Sequence, residues 1–325
     1  MRLSRERLMA ESEATGFRSE VLEKVIHLLN LLNVFQRHPA LAGRLALKGG
    51  TALNLFCFDL PRLSVDIDLN YIGASDRAEM LADRKKVERA MQAICQREEL
   101  SVTRVPGDHA GGKWRLRYAS ALGGSGNLEV DLNFMFRVPL WPVASVDSVA
   151  VGSYSAASIP VLNLHELAAG KLAALFARQA SRDLFDAHQL LIGGKLDPGQ
   201  LRLAFVLYGS MNRRDWRTIS LDDVDCDPHE LANHLLPVLS SSIRESLQPG
   251  WAERMIATCR ERLSYLLPFT AEETEFLDHL LDHGEIEPGL LTADTELAGR
   301  IRAHPLLQWK ALNVQRHRAT RDRDP

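Results

Sequence analysis

The chain has 325 residues, of which 46% are hydrophobic and 25% charged, and its formal net charge is −3. This composition excludes an intrinsically disordered protein, and the small charge excludes nucleic-acid binding driven by overall charge, so such binding needs a local basic patch. The length suits two domains. The cysteines lack metal-site spacing, and no apolar run suits a signal peptide or membrane span. We therefore expect a protein of the reducing cytoplasm with no membrane contact.

Two helices are predicted ahead of the first strand. Residues 3–16 are charged with helical spacing, and Val21–Phe35 carries the apolar stripe of a core helix. A short apolar strand is predicted next, at Leu45–Leu47.

A glycine turn joins this strand to a further helix. Gly49 and Gly50 follow the strand, and Thr51 opens a helical pattern. At such a turn the first backbone N–H groups of the helix are unpaired and the helix dipole favours an anion, for which a phosphate is the natural candidate. A Gly-Gly pair also occurs in plain turns, so this pattern alone does not require a ligand.

Two acids follow in a second strand, Val65–Leu69. Alternation puts Asp66 and Asp68 on one side of the strand and its apolar residues on the other. Neighbouring carboxylates repel one another unless a cation lies between them, and Mg²⁺ combines a few carboxylates with phosphate oxygens. The alternative is a solvated edge strand. The order of the two motifs favours metal-dependent chemistry on a nucleoside triphosphate.

A long helix, which Ser75-Asp76 can cap, and two strands come next. The alternating stretches Lys113–Ala119 and Leu128–Phe136 predict strands joined by a glycine-rich turn. In the second of them Glu129 and Asp131 share one side, so that either could supply a third acid to the site, or remain an exposed strand residue.

The expected fold is α+β. Residues 138–160 are poor in charge and predict a connector with one short strand, which sets a domain boundary near residue 160. Residues 1–160 predict a small mixed β-sheet with flanking helices, and residues 161–325 a mainly α-helical domain.

The second half opens with a helix, Leu164–Arg178, for which Asn163 and Glu166 predict a capping-box start. Lys171 falls on the apolar stripe of this helix, where a lysine must snorkel, pair with an acid, or face a ligand.

Ser181 is predicted to cap the following helix. Asp183 and Asp186 are i, i+3 neighbours on it, and Arg182 with Asp186 could form a plain surface ion pair. Further on, the segment RRDWR at residues 213–217 could bind an RNA backbone and stack a base, or could hold a partly buried aromatic ring between charged flanks.

These motifs together resemble a known family. The glycine turn followed by DxD resembles polymerase-β-like nucleotidyltransferases, and the strings KGGTALNLF, RLSVDIDL and AGKLAALFAR with RDLFD resemble the AbiEii/AbiGii toxins of abortive-infection and type IV toxin–antitoxin systems. The resemblance implies a polymerase-β-like core, an NTP substrate, Mg²⁺ or Mn²⁺, a tRNA 3′ end as acceptor and a separately encoded antitoxin.

The resemblance also implies roles for individual residues. Asp66, Asp68 and Asp131 become metal ligands, and Gly49, Gly50 and Thr51 bind phosphate. Lys171 becomes a triphosphate-binding cation, and Asp186 an acidic partner near the nucleotide or acceptor, with Asp183 and Arg182 as second choices. Three alternatives stay open: a kinase-like phosphotransferase, a nucleotidyltransferase for a small molecule, and a non-catalytic nucleotide-binding module. The preferred NTP is not indicated by the sequence.

Overall fold

The computed structural model of the chain describes residues 3–107 and 110–321. The chain divides into two compact units. The sheet unit comprises Met1–Arg137, Val143–Leu162 and Ala232–Pro249, and the helical unit comprises Val138–Pro142, Asn163–Leu231 and Gly250–Pro325. The chain therefore passes between the two units more than once, and neither is continuous in sequence.

The strands all belong to the sheet unit, whereas the helices are shared. The strands of the described chain are β1 (Leu45–Lys48), β2 (Asp66–Tyr71), β3 (Ser101–Arg104), β4 (Gly111–Ala119), β5 (Ser125–Asn133), β6 (Ala144–Val146) and β7 (Ile159–Val161). Its α-helices are α1 (Arg5–Thr15), α2 (Ser19–Arg37), α3 (Gly49–Ala52), α4 (Arg77–Arg97), α5 (Leu164–Arg178), α6 (Ser181–Ile192), α7 (Pro198–Ser210), α8 (Pro228–Glu230), α9 (Ser241–Ser246), α10 (Trp251–Leu263), α11 (Ala271–Asp278), α12 (Thr295–Ala303) and α13 (Pro305–Arg321). None of these described helices is both long and apolar enough to cross a membrane.

The strands form one mixed sheet in the order β3-β4-β5-β2-β1-β7-β6. Strand β2 runs parallel to β5 and β1 runs parallel to β7, while the other neighbours are antiparallel. A parallel pair needs a long connection, which α4, β3 and β4 supply between β2 and β5. This pairing brings together the two strands whose sequences carry the candidate acids.

Alternation decides which side of the sheet is buried. In β4 and β5 every second side chain is apolar and buried. Helices α2 and α4 cover this side: the Tyr71 hydroxyl donates to Asp83 of α4 at 2.8 Å, and the Tyr118 ring lies 4.2 Å from that of His27 on α2. The opposite side is termed the polar face. Its residues on strands β4, β5 and β2 include Lys113, Arg115, Arg117, Asn127, Glu129, Asp131, Asp66 and Asp68.

Two strand predictions are wrong in detail. The stretch 138–160 contributes to two short strands rather than one, since β6 pairs antiparallel with β7. Strand β5 ends at Asn133 rather than Phe136, because the Asn133 side chain accepts hydrogen bonds from the N–H groups of Met135 and Phe136 and turns the chain. The cap of α4 by Asp76 is confirmed.

The predictions for the N-terminal caps of α5 and α6 are confirmed in part. Asn163 caps α5 as expected. Glu166 does not complete a capping box, because its buried carboxylate accepts a hydrogen bond from the Tyr208 hydroxyl instead. Ser181 is the first residue of α6 rather than its N-cap, which is Ala180.

The aromatic residue of the RRDWR segment belongs to the core of the helical unit. Trp216 is fully buried, and its ring lies 5.2 Å from that of Phe205 and 5.9 Å from that of Phe176. A ring without exposed surface cannot stack a nucleic-acid base. The interpretation of Trp216 as a stacking platform is therefore wrong, and the ring is buried more deeply than the alternative of a partly buried aromatic predicts.

Candidate active site

The glycine turn lies directly against one of the candidate acids. Gly49 follows β1 with a φ of +73°, a backbone conformation that residues other than glycine rarely adopt. A Cβ atom at this position would overlap the carboxylate of Asp68. Glycine is thus required twice, by the backbone angle and by the close approach to the acid.

Thr51 ties the helix after this turn to the acidic strand. Its side chain is fully buried, and its hydroxyl donates to the backbone carbonyl of Asp66. One residue earlier, the Gly50 carbonyl accepts a hydrogen bond from Asn54 at 2.9 Å. Because the Thr51 hydroxyl is engaged in this way, the groups that this segment can offer a phosphate are the backbone N–H groups at the helix start.

The three candidate metal ligands lie together on the polar face. Asp68 of β2 is in register with Asp131 of β5, and Asp66 is in register with Glu129. Neighbouring strands are about 4.8 Å apart, so the side chains of an in-register pair are close neighbours. Both Asp68 and Asp131 are partly buried.

Ion pairing distinguishes Glu129 from Asp131, the two candidates for the third acid. Glu129 binds Lys113 at 2.8 Å and Arg115 at 3.1 Å, and the hydrogen bond from Lys113 in particular lowers the pKa of its carboxyl. Asp131 behaves in the opposite way. Its pKa is raised, mainly by burial and further by the charge of Asp68, although the nearby cation Lys48 opposes the shift. Of these two carboxylates, Asp131 is therefore the one that an added cation would stabilise more.

Two lysines that sequence reasoning did not assign flank this pair of acids. Lys48 is in register with Asp68 on one side, and Lys113 with Asp131 on the other. The ammonium of Lys48 also lies 5.7 Å from the ring centroid of Phe136. The only sequence signals are that Lys48 directly precedes the glycine turn and that Lys113 opens an alternating strand. Their closeness to the acids depends on strand pairing.

The donor set of the polar face suits a hard divalent cation that shares its ligands with a substrate. Within residues 3–107 and 110–321, no group of three or more His, Cys, Asp or Glu side chains is arranged to hold a metal ion on its own. Protein-bound Mg²⁺ commonly takes one or two carboxylates and completes its shell with phosphate oxygens and water. Asp68 and Asp131, with Asp66 beside them, fit this kind of site.

The other predicted residues form a second cluster, inside the helical unit. The Lys171 ammonium lies 2.7 Å from Asp183 and 3.0 Å from Asp186, and the guanidinium of Arg178 lies 2.6 Å from Asp183. Both aspartates and Lys171 are buried. Of the three possibilities for a lysine on the apolar stripe, pairing with acids is the one that this cluster adopts.

The charges of this cluster compensate one another. Burial alone would raise the pKa of Asp183, but the charges of Lys171 and Arg178 outweigh it and lower that pKa below the usual value. Asp186, for which the sequence suggested a surface ion pair with Arg182, is buried and lies 3.0 Å from the Lys171 ammonium. A fully paired buried cluster of this kind breaks at high cost when one partner is removed.

A comparison with protein families decides what these motifs have in common. The sequence model described as nucleotidyl transferase AbiEii toxin of type IV toxin–antitoxin systems matches residues 33–266. The chain belongs to the AbiEii nucleotidyltransferase toxin family. The resemblance drawn from the motifs is thereby confirmed, and the chain is a nucleotidyltransferase. The matched range includes both the acids of the polar face and the Lys171 cluster.

Solved structures give the same fold. The nucleotidyltransferase toxin MenT4 of Mycobacterium tuberculosis matches with a TM-score of 0.58 and 18% identity, over 93% of this chain and 99% of that one. At this level of identity the likeness concerns the fold, and it confirms the predicted α+β architecture with C-terminal helices. No curated protein sequence matches the chain.

Proposed function

We propose that this toxin transfers a nucleoside monophosphate from an NTP to the 3′ end of an RNA, with tRNA as the first candidate. The observation that carries the proposal is that the glycine turn lies against Asp68, which is in register with Asp131. Anion-binding N–H groups and metal-binding carboxylates are thus neighbours. Phosphoryl transfer depends on this combination, since it needs positioning and charge neutralisation more than covalent work by the protein.

The glycine turn would hold the triphosphate. The backbone N–H groups of Gly49, Gly50 and Thr51 open a helix, where the dipole favours negative charge. The missing side chain of Gly49 keeps the phosphate chain close to Asp68. Lys48 lies at the junction of strand and helix, and we assign it to neutralising phosphate charge beside the acids.

The carboxylates would hold Mg²⁺ or Mn²⁺, which when bound neutralises phosphate charge and activates the acceptor hydroxyl. Asp68 and Asp131 are the primary ligands in this proposal, and Asp66 is the third. Glu129 keeps Lys113 and Arg115 in place rather than binding the cation, because both of its oxygens are already paired. The acceptor oxygen attacks the α-phosphorus, and pyrophosphate leaves.

Lys171 and Asp186 enter the proposal through the family resemblance. Asp183 and Asp186 hold the Lys171 ammonium at a defined position, which a cation needs if it is to meet a phosphate. A phosphate would compete with these carboxylates for the ammonium. Asp183 also binds the guanidinium of Arg178, so it keeps a cation if a phosphate displaces it from Lys171.

The proposal is tested by following label from each of the four NTPs. Purified full-length protein is incubated with unfractionated tRNA and with α-labelled or γ-labelled NTP, in Mg²⁺ or in chelator. We expect α-label in the RNA, release of pyrophosphate, and no reaction in chelator. Transfer of γ-label to a protein would instead support the kinase-like alternative, and α-label only on an added small-molecule acceptor would overturn the assignment to RNA.

A growth test addresses the toxin role and its location. The four cysteines, all within the described residues, form no disulfide, and we propose that the protein acts in the cytoplasm, where NTPs and tRNA are found. Expression in a bacterial host should stop growth with the wild type and leave it unaffected with Asp68→Ala, and a cognate antitoxin should restore growth. Equal toxicity of the two proteins would mean that the effect does not come from catalysis.

A further inference from the structure

A row of arginines extends the polar face toward the edge of the sheet. Arg115 and Arg117 of β4 are exposed, while the residues that alternate with them are buried in the core. Arg104 of the edge strand β3 is also exposed and is in register with Arg115. These three residues are termed the arginine ladder. Arg115 is in turn in register with Glu129, and Glu129 with Asp66, so the ladder continues the row that contains the candidate acids.

The positive charge of the ladder is only partly compensated. Glu129 is shared between Arg115 and Lys113. The Arg117 guanidinium donates to the Ser125 hydroxyl at 2.9 Å, which removes no charge. In the part of the chain that the structure describes, neither Arg104 nor Arg117 forms an ion pair with a carboxylate. The ladder therefore presents an excess of positive charge to solvent.

This arrangement runs against the rules for a stable sheet. Like charges directly opposite each other on neighbouring strands destabilise the pair, and Arg104 and Arg115 are such a pair. The chain as a whole has more acids than bases, with 42 Asp and Glu against 39 Lys and Arg, so the concentration of arginine is local. Violations of this kind concentrate at functional sites, where a ligand supplies the missing interaction.

We infer that the arginine ladder binds the sugar–phosphate backbone of the RNA acceptor. This inference rests on the proposed function and adds the surface along which the acceptor lies. Side chains two residues apart on a strand are separated by about 6.7 Å, close to the spacing of consecutive phosphates in an extended strand. Guanidinium groups bind phosphate oxygens in a bidentate manner. Such contacts position the RNA without reading its sequence.

The test compares the double variant Arg104→Ala/Arg117→Ala with the wild type as full-length proteins. Neither residue is assigned to binding the nucleotide or the cation. Binding of unfractionated tRNA is measured by fluorescence anisotropy over a range of salt concentrations. We expect affinity to fall at least tenfold near 0.1 M salt, and the slope of log K against log salt to become shallower by about 1.4 to 1.8, since each phosphate contact contributes about 0.7 to 0.9. NTP affinity should stay unchanged.

Two matched variants serve as controls. Arg77→Ala/Arg89→Ala removes the same charge from exposed positions of α4, which packs on the opposite side of the sheet, and should leave tRNA binding within about twofold of the wild type. Arg104→Lys/Arg117→Lys keeps the charge but not the bidentate geometry, and should restore the salt slope and part of the affinity. The alanine variant of the ladder should melt no lower than the wild type, because it relieves a repulsion.

The outcomes separate this inference from the function on which it rests. If the wild type labels tRNA but the ladder variant binds tRNA as the α4 control does, the inference is overturned and the proposed function stands. Loss of NTP affinity in the ladder variant, with tRNA affinity retained, also overturns it. A wild type that neither binds nor labels tRNA overturns both.

Discussion

Each unit of the molecule contains a group of aspartates, and the two groups are built in opposite ways. On the polar face, Asp68 and Asp131 lie side by side, partly exposed, and the pKa of Asp131 is raised. In the helical unit, Asp183 and Asp186 are buried and share Lys171, and the pKa of Asp183 is lowered.

The difference indicates which group stabilises the fold and which awaits a ligand. A buried carboxylate is costly unless it is paired, and the helical unit pairs its aspartates internally. The sheet unit places two acids in register and leaves part of their repulsion uncompensated. Removing an acid from the helical unit should therefore cost stability, whereas removing one from the polar face should cost activity.

The largest expected effect is on activity. Asp68→Asn or Asp131→Asn should lower the rate of nucleotidyl transfer by at least about 10²–10³-fold, because each removes a charge that acts on the transferred phosphate. The melting temperature should not fall, since a repulsion is relieved. Initial rates and thermal melting test this together. Activity within tenfold of the wild type would remove these residues from the site.

The next effect is on stability in the helical unit. Lys171→Met should lower the free energy of unfolding by about 3–5 kcal/mol, because it leaves Asp183 and Asp186 buried without their shared cation. Chemical denaturation measures this. Lys195→Met, at an exposed position of the same unit, is the matched control and should change stability by less than about 0.5 kcal/mol.

A double variant tests whether the loss of stability comes from the pairing of Lys171 with Asp186. Adding Asp186→Asn to Lys171→Met removes one unpaired charge and should recover part of the lost stability, as expected for a coupled pair. Strict additivity of the two substitutions would show that Lys171 and Asp186 do not interact as the structure has them.

The pH dependence of stability should have opposite sign in the two groups. The folded-state pKa of Asp131 lies above the ordinary 3.8, so its contribution is favourable below that pH and is lost as pH rises through the raised value. The folded-state pKa of Asp183 lies below 3.8, so its contribution is present above that pH and is lost as pH falls through the lowered value.

Two neutral variants measure these contributions in chelator. At pH 7 Asp131→Asn should be more stable than the wild type and Asp183→Asn less stable, as the directions of the two pKa shifts require. The advantage of Asp131→Asn should shrink as pH falls toward 3.8, and the deficit of Asp183→Asn should shrink below 3.8. Differences of the same sign at pH 7 would contradict the contrast between the groups.

The sequence predicted the elements of the sheet site because its signals are local. Alternation identified β2 and β5 and put Asp66, Asp68 and Asp131 on one side of their strands, and Gly49 marked the turn. Strand register is not local. Alternation alone therefore did not decide whether Glu129 or Asp131 is the third acid. The ion pairs that Glu129 forms with Lys113 and Arg115 of β4 distinguish the two.

The partners of Lys171 could not be predicted from the sequence for the same reason, because they lie on a different helix. Helical spacing put Lys171 on an apolar stripe, but its partners lie on α6, and the packing of α5 against α6 decides that both aspartates reach it. The sequence likewise did not establish how deeply Trp216 is buried, because the charged segment RRDWR is also compatible with a surface patch. The contacts of the ring with Phe176 and Phe205 show that it is part of the core.

The smallest expected effect distinguishes the rival third acids. Glu129→Gln should lower the rate less than tenfold and change stability by no more than about 1 kcal/mol, because it breaks only exposed ion pairs with Lys113 and Arg115. The matched comparison is Asp131→Asn under the same conditions. A greater loss of activity in Glu129→Gln would exchange the roles of the two acids.

The most direct test of the central claim is the rate of α-label incorporation into tRNA as Mg²⁺ is titrated, for the wild type and Asp131→Asn. We propose that Asp68 and Asp131 hold the cation on which nucleotidyl transfer depends. The wild type should be inactive in chelator and saturate with added Mg²⁺, and Asp131→Asn should need far more Mg²⁺ and reach a much lower rate. Full wild-type activity in chelator, or identical titration curves for the two proteins, would contradict it.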